Sequence, residues 1–244
     1  MPAGQVVAVV GPNGCGKSAL LRTVARLHHP ASGAVLVDGA DIWELSRRRA
    51  AHRVVLLPQS PRAPEAITVA GLVRYGRSPP PGAPAAAVAR GRAGVRGALD
   101  ATGTTALAGE RVDRLSGGQR LRGRLAMVRA RRTPLVLLDE PTSALDLGHA
   151  VEVLELVREV AATGRPIVMV QHDLTATARY ADRLVAMKDG RVIAEGAPRE
   201  TVEGALVKEL YGLEADILRA PVDGSPVVVP RGRAGADTQP SAMQ

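Results

Sequence analysis

The first patterned stretch is a continuous apolar run, Val6–Val10, that is short, β-branched and stopped by Gly-Pro, as in a buried strand. A helical pattern follows from residue 17 to about residue 27, with Leu20, Leu21, Val24 and Leu27 on one face. "AVLVDGADI" reads as a strand with a tight Asp38-Gly39 turn, and "RVVLLPQS" is a second apolar run ended by Pro58. From residue 61 to about 114 the chain turns to Pro, Gly, Ala and Arg. There "SPPPGAPAAA" predicts no regular structure. "ARGRAGVRGALDATG" predicts a poor helix, since each interior glycine costs about 1 kcal/mol relative to Ala. This region reads as an inserted, mobile subdomain.

Regular patterning then returns. "LSGGQRLRGRLAMVRARR" starts a helix, and "PLVLLDE" is a strand between prolines. "LGHAVEVLELVREVAATG" is a helix with Val151, Leu154, Val157 and Ala161 apolar, ended at Gly164. "PIVMVQH" is another strand, "DLTATARYADR" a short helix, and "LVAMKDGRVIAEG" a hairpin on Asp189-Gly190. Alternating strands and helices predict an α/β fold, a largely parallel sheet with helices on its faces. The Gly, Ala, Pro and polar residues after about 231 predict a disordered end.

Composition narrows the function classes. The 244 residues are 45% hydrophobic and 23% charged, as in ordinary globular proteins. Aromatics make up only 2%, with no Phe, which argues against stacking platforms for single-stranded nucleic acid. The sole cysteine, Cys15, excludes an internal disulfide and fits a reducing compartment. The apolar run near the start lacks a basic flank and ends in a glycine-rich turn, unlike a secretory signal. Nothing reaches 18 consecutive apolar residues, so no membrane-spanning helix is expected. The net charge of +8 comes from dispersed arginines with small clusters at 47–49 and across 120–132. Solvated faces, or a surface toward a membrane or partner, account for it.

Candidate chemistry begins with Gly11, Pro12, Asn13, Gly14, Cys15, Gly16, Lys17 and Ser18, which fit the phosphate-loop pattern G-x-x-x-x-G-K-[ST]. The glycines let backbone N–H groups close on phosphate oxygens, and the next helix aims its N-terminus at the same anion. Lys17 neutralises β/γ-phosphate charge, and the Ser18 hydroxyl can ligate Mg²⁺. Residues 115–119, "LSGGQ", read by themselves as a capping box on Ser116 and Gln119. Gly117 and Gly118 inside that cap make sense when something approaches the backbone closely. A bare helix start beside a serine is a second phosphate site, so two half-sites suggest nucleotide held between two copies. Asp139, at the end of "LVLLD", can hold Mg²⁺, and Glu140 can orient or deprotonate a water. Ser143 and Asp146 open a further helix, His172 follows a strand, and Gln59 follows "VLLP"; each is unremarkable in isolation.

Together and in this order, these pieces resemble the nucleotide-binding subunit of ATP-binding cassette (ABC) transporters. The loop looks like a Walker A motif, Gln59 the Q-loop, residues 115–119 the signature, "LVLLDE" Walker B, residues 143–146 the D-loop and His172 the switch histidine. The resemblance implies a P-loop NTPase with an ABC-type ATPase core and an inserted helical subdomain. It places the core in residues 1–60 and 115–215, the coupling subdomain in 61–114 and a C-terminal tail in 216–244. It implies two ATP molecules with Mg²⁺, sandwiched between two subunits, each between Lys17 of one copy and Ser116 of the other. Glu140, His172 and Gln59 are the catalytic residues it implies, with Gln59 also beside the metal held by Ser18 and Asp139, and Asp146 beside the nucleotide. Partners would be a second, identical cassette, transmembrane permease subunits and, indirectly, a substrate-binding protein, with no direct nucleic-acid contact. The place would be peripheral, on the cytoplasmic face of the plasma membrane. "LLPQSPRAPEAITVAGLVRYGRSP", "HDLTATARYADRLVAMKDGRVIAEGAP" and "PVDGSPVVVP" are similar to the ATPases of bacterial importers for ferric siderophores.

Departures accompany the likeness. Ala19 stands where the family usually has Thr, and Arg120-Leu121-Arg122 follows the signature where Gln usually comes second. The stretch before "VVAVVG" is short against the family, which usually has further strands and an adenine-stacking aromatic there, so truncation is the expectation. A degenerate cassette with impaired turnover and a soluble ABC ATPase acting on nucleic acid are the alternatives.

Overall fold

Val6–Val10 is strand β1, and all five of its residues are buried. After it come α1 (Lys17–Val24), β2 (Leu36–Val37), β3 (Ala40–Asp41), α2 (Arg47–Ala51), β4 (Val54–Leu57), α3 (Val69–Tyr75) and α4 (Ala85–Ala101). Next are α5 (Gly117–Arg131), β5 (Leu135–Asp139), α6 (Leu147–Ala162), β6 (Ile167–Val170) and α7 (Leu174–Tyr180). The chain continues through β7 (Arg183–Lys188), β8 (Arg191–Gly196), α8 (Pro198–Thr201), α9 (Gly204–Tyr211), β9 (Leu213–Arg219) and β10 (Pro226–Arg233). The computed structural model describes residues 1–59, 66–77, 84–143 and 145–233. The chain forms two compact units. One is Met1–Val6 with Ser18–Gln171; the other is Val7–Lys17 with the chain from His172 on.

In the first unit β4, β5 and β6 run parallel, with Val54 opposite Leu135 and Val136 opposite Ile167. All five positions of β5 are buried, as the uninterrupted "LVLLD" implies for a strand covered on both faces. Helices α3, α4 and α5 enclose a separate apolar cluster that includes Val69, Val73, Leu99 and Ala126. Here one sequence expectation is corrected: α4 runs unbroken for 17 residues despite its glycines. Burial of Val95, Ala98 and Leu99 in that cluster overrides the weak propensity. Of "SPPPGAPAAA", residues 78–83 lie outside the described residues, while Ala85–Ala87 open α4, which corrects the expectation of no regular structure there.

Helix α1 is shorter than its pattern. It ends at Val24 because Arg26 turns left-handed (φ 60°) and Leu27 N–H donates back to Arg22 O at 2.8 Å. The expected apolar face is divided accordingly: Leu21 is buried, whereas Leu20 and Leu27 are exposed. The "AVLVDGADI" strand is likewise reduced to the two-residue pairs β2 and β3 around Asp38-Gly39, both at positive φ.

In the second unit β1 pairs parallel with β7, and β7 pairs antiparallel with β8 across Asp189-Gly190. Together with the three parallel strands of the first unit, this is the mostly parallel α/β fold that the sequence predicts. The expected C-terminal tail carries regular structure from residue 216 to residue 233. Those residues form the antiparallel hairpin β9–β10, with Ile217 opposite Val228. Both side chains pack on the cluster around Leu206 and Leu210, so the segment has apolar area to bury. The expected disordered end, residues 234–244, lies outside the described residues.

Candidate functional site

The second unit carries the glycine-rich loop. Gly11 (φ 148°) has a backbone few side chains adopt, and a Cβ there would stand 2.0 Å from Met187 O, so only glycine fits. Cys15 O accepts from Gly190 N–H at 3.1 Å, which ties the loop to the β7–β8 turn. Lys17 is buried, and its ammonium donates to Gly11 O and Pro12 O, both at 2.8 Å. The cation is thus fixed at the centre of its own loop. Cys15 is buried beside it, while Asn13 and Gly14 are exposed. Tyr211, at the end of α9, adjoins this loop. Burial, and then the Cys15 thiol, push its phenol up to about 12.

The first unit carries the carboxylates. Asp139 ends β5 almost fully buried, and its Oδ1 accepts from Ser18 Oγ at 3.0 Å. The next residue, Glu140, has a left-handed backbone (φ 50°) that is unusual for a non-glycine residue and accompanies functional positions. Its Oε2 accepts from Gln59 Nε2 at 2.6 Å. Gln59 also donates to Ser143 Oγ at 3.3 Å, and Ser143 Oγ donates to Glu140 O at 3.1 Å. Three positions that read as separate motifs, Gln59, Glu140 and Ser143, therefore form one hydrogen-bonded group.

The capping box at the start of α5 is present: Ser116 Oγ accepts from Gln119 N–H, and Ser116 N–H donates to Gln119 Oε1. Asp146 caps α6 by accepting from His149 N–H at 2.9 Å. Its carboxyl is held below the ordinary range by that N–H first and then by the His149 ring, whose Nδ1 lies 2.7 Å from Oδ2. Another edge of the ring lies against the start of α5: a Cβ on Gly118 would meet His149 Cδ2 at 2.7 Å. His149 escaped the sequence reading, because a histidine inside an amphipathic helix carries no motif. Tyr211 escaped it for the same reason. His172 follows β6, where the chain re-enters the second unit, and is exposed.

A strand-to-helix glycine loop closed on a lysine, with a buried aspartate that takes the next residue's hydroxyl, defines a nucleoside-triphosphate-hydrolysing cassette. The ABC transporter family matches residues 1–143. The chain is 44% identical over 239 residues to the ferric enterobactin transport ATP-binding protein of Escherichia coli (strain K12), covering 98% of this chain and 88% of that protein. It is 46% identical over 234 residues to the achromobactin transport ATP-binding protein of Dickeya dadantii (strain 3937), covering 96% and 87%. Among solved structures it is similar to cbiO1 from Clostridium perfringens, part of the ABC transporter complex cbiONQ. There the TM-score is 0.73 at 31% identity, covering 81% of this chain and 79% of that one.

The chain belongs to the ATP-binding subunits of the ABC transporter family, whose members bind and hydrolyse ATP to drive transport. Such importer subunits dimerise, work with transmembrane permeases and are peripheral to the membrane. Among the described residues, no helix is long and apolar enough to cross a membrane.

Proposed function

We propose that this chain powers a bacterial importer of iron(III)-siderophore complexes from the cytoplasmic face of the plasma membrane. The similarity to the ferric enterobactin and achromobactin transport ATP-binding proteins supports the cargo class. In this reading two identical copies hold two ATP molecules between them. Residues 61–114 couple each copy to a permease subunit, which receives cargo from a substrate-binding protein.

Each site residue has a role in that reading. Backbone N–H groups from Gly11 to Ser18 and the Lys17 ammonium bind the phosphates, which compete with the Gly11 and Pro12 carbonyls for the cation. Ser116, Gly117, Gly118 and Gln119 at the start of α5 meet the γ-phosphate bound to the other copy, beside Asp146. Mg²⁺ fits the hard oxygens of Ser18 and Asp139, with Gln59 nearby, and would neutralise charge on the phosphates. No group of three or more His, Cys, Asp or Glu residues able to hold a metal occurs among the described residues. That suits an ion which keeps waters and phosphate oxygens as most of its ligands. Glu140 takes the proton of the attacking water, Gln59 fixes that carboxylate, and His172 senses the γ-phosphate.

The carrying observation is the 2.6 Å bond from Gln59 to Glu140, beside the Ser18–Asp139 pair. It aims a carboxylate next to the oxygens suited to the metal. The test is Glu140→Gln in the assembled transporter. ATP turnover should fall on the order of 10²-fold while Mg-ATP binding persists and ATP-bound dimers accumulate. Turnover within a factor of about three of the parent would remove Glu140 as the base. For the cargo, cells lacking their own importer ATPase should regain uptake of radiolabelled ferric siderophore with the parent chain and not with Glu140→Gln. Equal uptake with both would remove the transport assignment.

A further inference from the structure

The first unit contains a second concavity, built from none of the residues assigned above. It encloses about 800 Å³, the size of a small-molecule pocket. Five arginines line it: Arg77, Arg90, Arg129, Arg132 and Arg165. No carboxylate is among its described lining residues.

Two of the five are fixed by the fold. Arg77 Nη1 donates to Ala130 O at 3.0 Å, and Arg165 donates to Val128 O at 3.0 Å and to Thr163 Oγ1 at 3.1 Å. These contacts satisfy carbonyls in the last turn of α5 and hold the guanidinium planes in place. Each guanidinium has five N–H donors, so both keep donors for a ligand. The side chains of Arg90, Arg129 and Arg132 have no such structural duty, because no hydrogen bond or ion pair engages them among the described residues.

The charges oppose one another. Burial, and then Arg132, lower the Arg77 pKa; burial, and then Arg129 and Arg132, lower that of Arg165. Gathering like charges around a partly dry cavity is unfavourable until an anion offsets them. Arg90 and Arg132 are exposed, whereas Arg77 and Arg165 are half-buried and bonded down at the wall rather than spread into water.

The wall contributed by α4 is shaped to match. A Cβ on Gly94 would stand 2.3 Å from Arg77 Nε, so the glycine is what lets Arg77 lie across the helix. A Cβ on Gly97 would meet nothing within 4 Å, which leaves the cavity open at that point. Glycines inside a helix are unfavourable, and Gly94 makes room for the Arg77 cation.

From this geometry we propose that the cavity binds an anionic phosphate group, either free in solution or as the headgroup of an anionic lipid. Planar guanidinium forks match phosphate oxygens in pairs, which separate lysines would not do.

The test uses the full chain carrying Lys17→Ala, which removes the cation of the nucleotide loop. Calorimetric titration with inorganic pyrophosphate should show one saturable, salt-sensitive site. Adding Arg90→Gln, Arg129→Gln and Arg132→Gln should weaken it about tenfold or more. Gly97→Asp, which projects a carboxylate into open space without touching α5, should do the same, while Gly97→Ala should bind like the parent. A second arm sediments the same chains with phosphatidylcholine vesicles, with and without phosphatidylglycerol. Pyrophosphate binding that the variants abolish identifies a free phosphate. Capture by phosphatidylglycerol vesicles that the variants abolish, without pyrophosphate binding, identifies a lipid headgroup. The proposal is overturned if neither probe binds, or if the arginine and Gly97→Asp variants bind both probes as the parent does.

Discussion

Gly118 and His149 lie so close that a single methyl group on the glycine would stand 2.7 Å from the imidazole Cδ2. The ring cannot swing aside freely, because Nδ1 is held 2.7 Å from Asp146, the cap of α6. Gly118→Ala should therefore destabilise the chain by about 1–3 kcal/mol through overpacking, read as a shift in the urea midpoint. His149→Ala should remove most of that penalty. A double-mutant cycle that gave strictly additive effects would mean the two positions are not coupled.

The short bond between Gln59 and Glu140 carries the next expectation. Gln59→Ala leaves the carboxylate in place and removes the donor that aims it. Turnover should drop about 10- to 100-fold through misorientation, with little change in Mg-ATP affinity. Gln59→Glu should be worse than Ala, since it sets a like charge against Glu140. Steady-state hydrolysis paired with equilibrium nucleotide binding separates the two effects, and a loss confined to affinity would contradict the positioning role.

The loop from Gly11 to Ser18 and the strand-end pair Asp139-Glu140 were legible because their chemistry depends on local spacing. Glycines at fixed offsets permit the φ values found there, and an apolar run ending in a carboxylate places that group at the end of a strand. Other features depend on long-range packing, which spacing does not encode. His149 and Gly118 belong to different helices, and the five cavity arginines are spread from Arg77 to Arg165. Helix α4 looked weak by propensity and is held by burial of Val95, Ala98 and Leu99. The β9–β10 hairpin was lost in a composition that reads as tail, because its stabilisation comes from the cluster around Leu206 and Leu210.

Helix α4 offers a matched pair of substitutions with opposite signs. Gly97 faces open space, so Gly97→Ala gains helix propensity and should stabilise the chain by about 0.5–1 kcal/mol. Gly94→Ala gains the same propensity but drives a methyl group into Arg77, whose bond to Ala130 O would be lost. The net effect there should be destabilising by about 1–2 kcal/mol. Denaturant midpoints of the two variants settle it, and equal stabilisation by both would mean that Arg77 moves away at no cost.

Tyr211 gives a pH dependence with a definite sign. Its phenol is raised from 10.0 to about 12 in the folded chain, first by burial and then by Cys15. An unfolded chain ionises this group near its ordinary value, while the folded chain keeps the proton until about pH 12. Between those values the unfolded state binds fewer protons, so stability must fall as pH rises, with a slope of up to one proton. Below pH 10 the group contributes no slope, because both states hold the proton. Tyr211→Phe removes the ionisable group and keeps the ring, so it should change stability by no more than about 1 kcal/mol at neutral pH. From about pH 10 to about pH 12 it should lose stability less steeply than the parent, the difference approaching one proton at mid-range. Urea unfolding of both chains across that window provides the comparison, and the other tyrosines and lysines cancel because they are common to both. Parallel curves would mean that the Tyr211 hydroxyl reaches solvent and ionises in the folded protein as it does in the unfolded one.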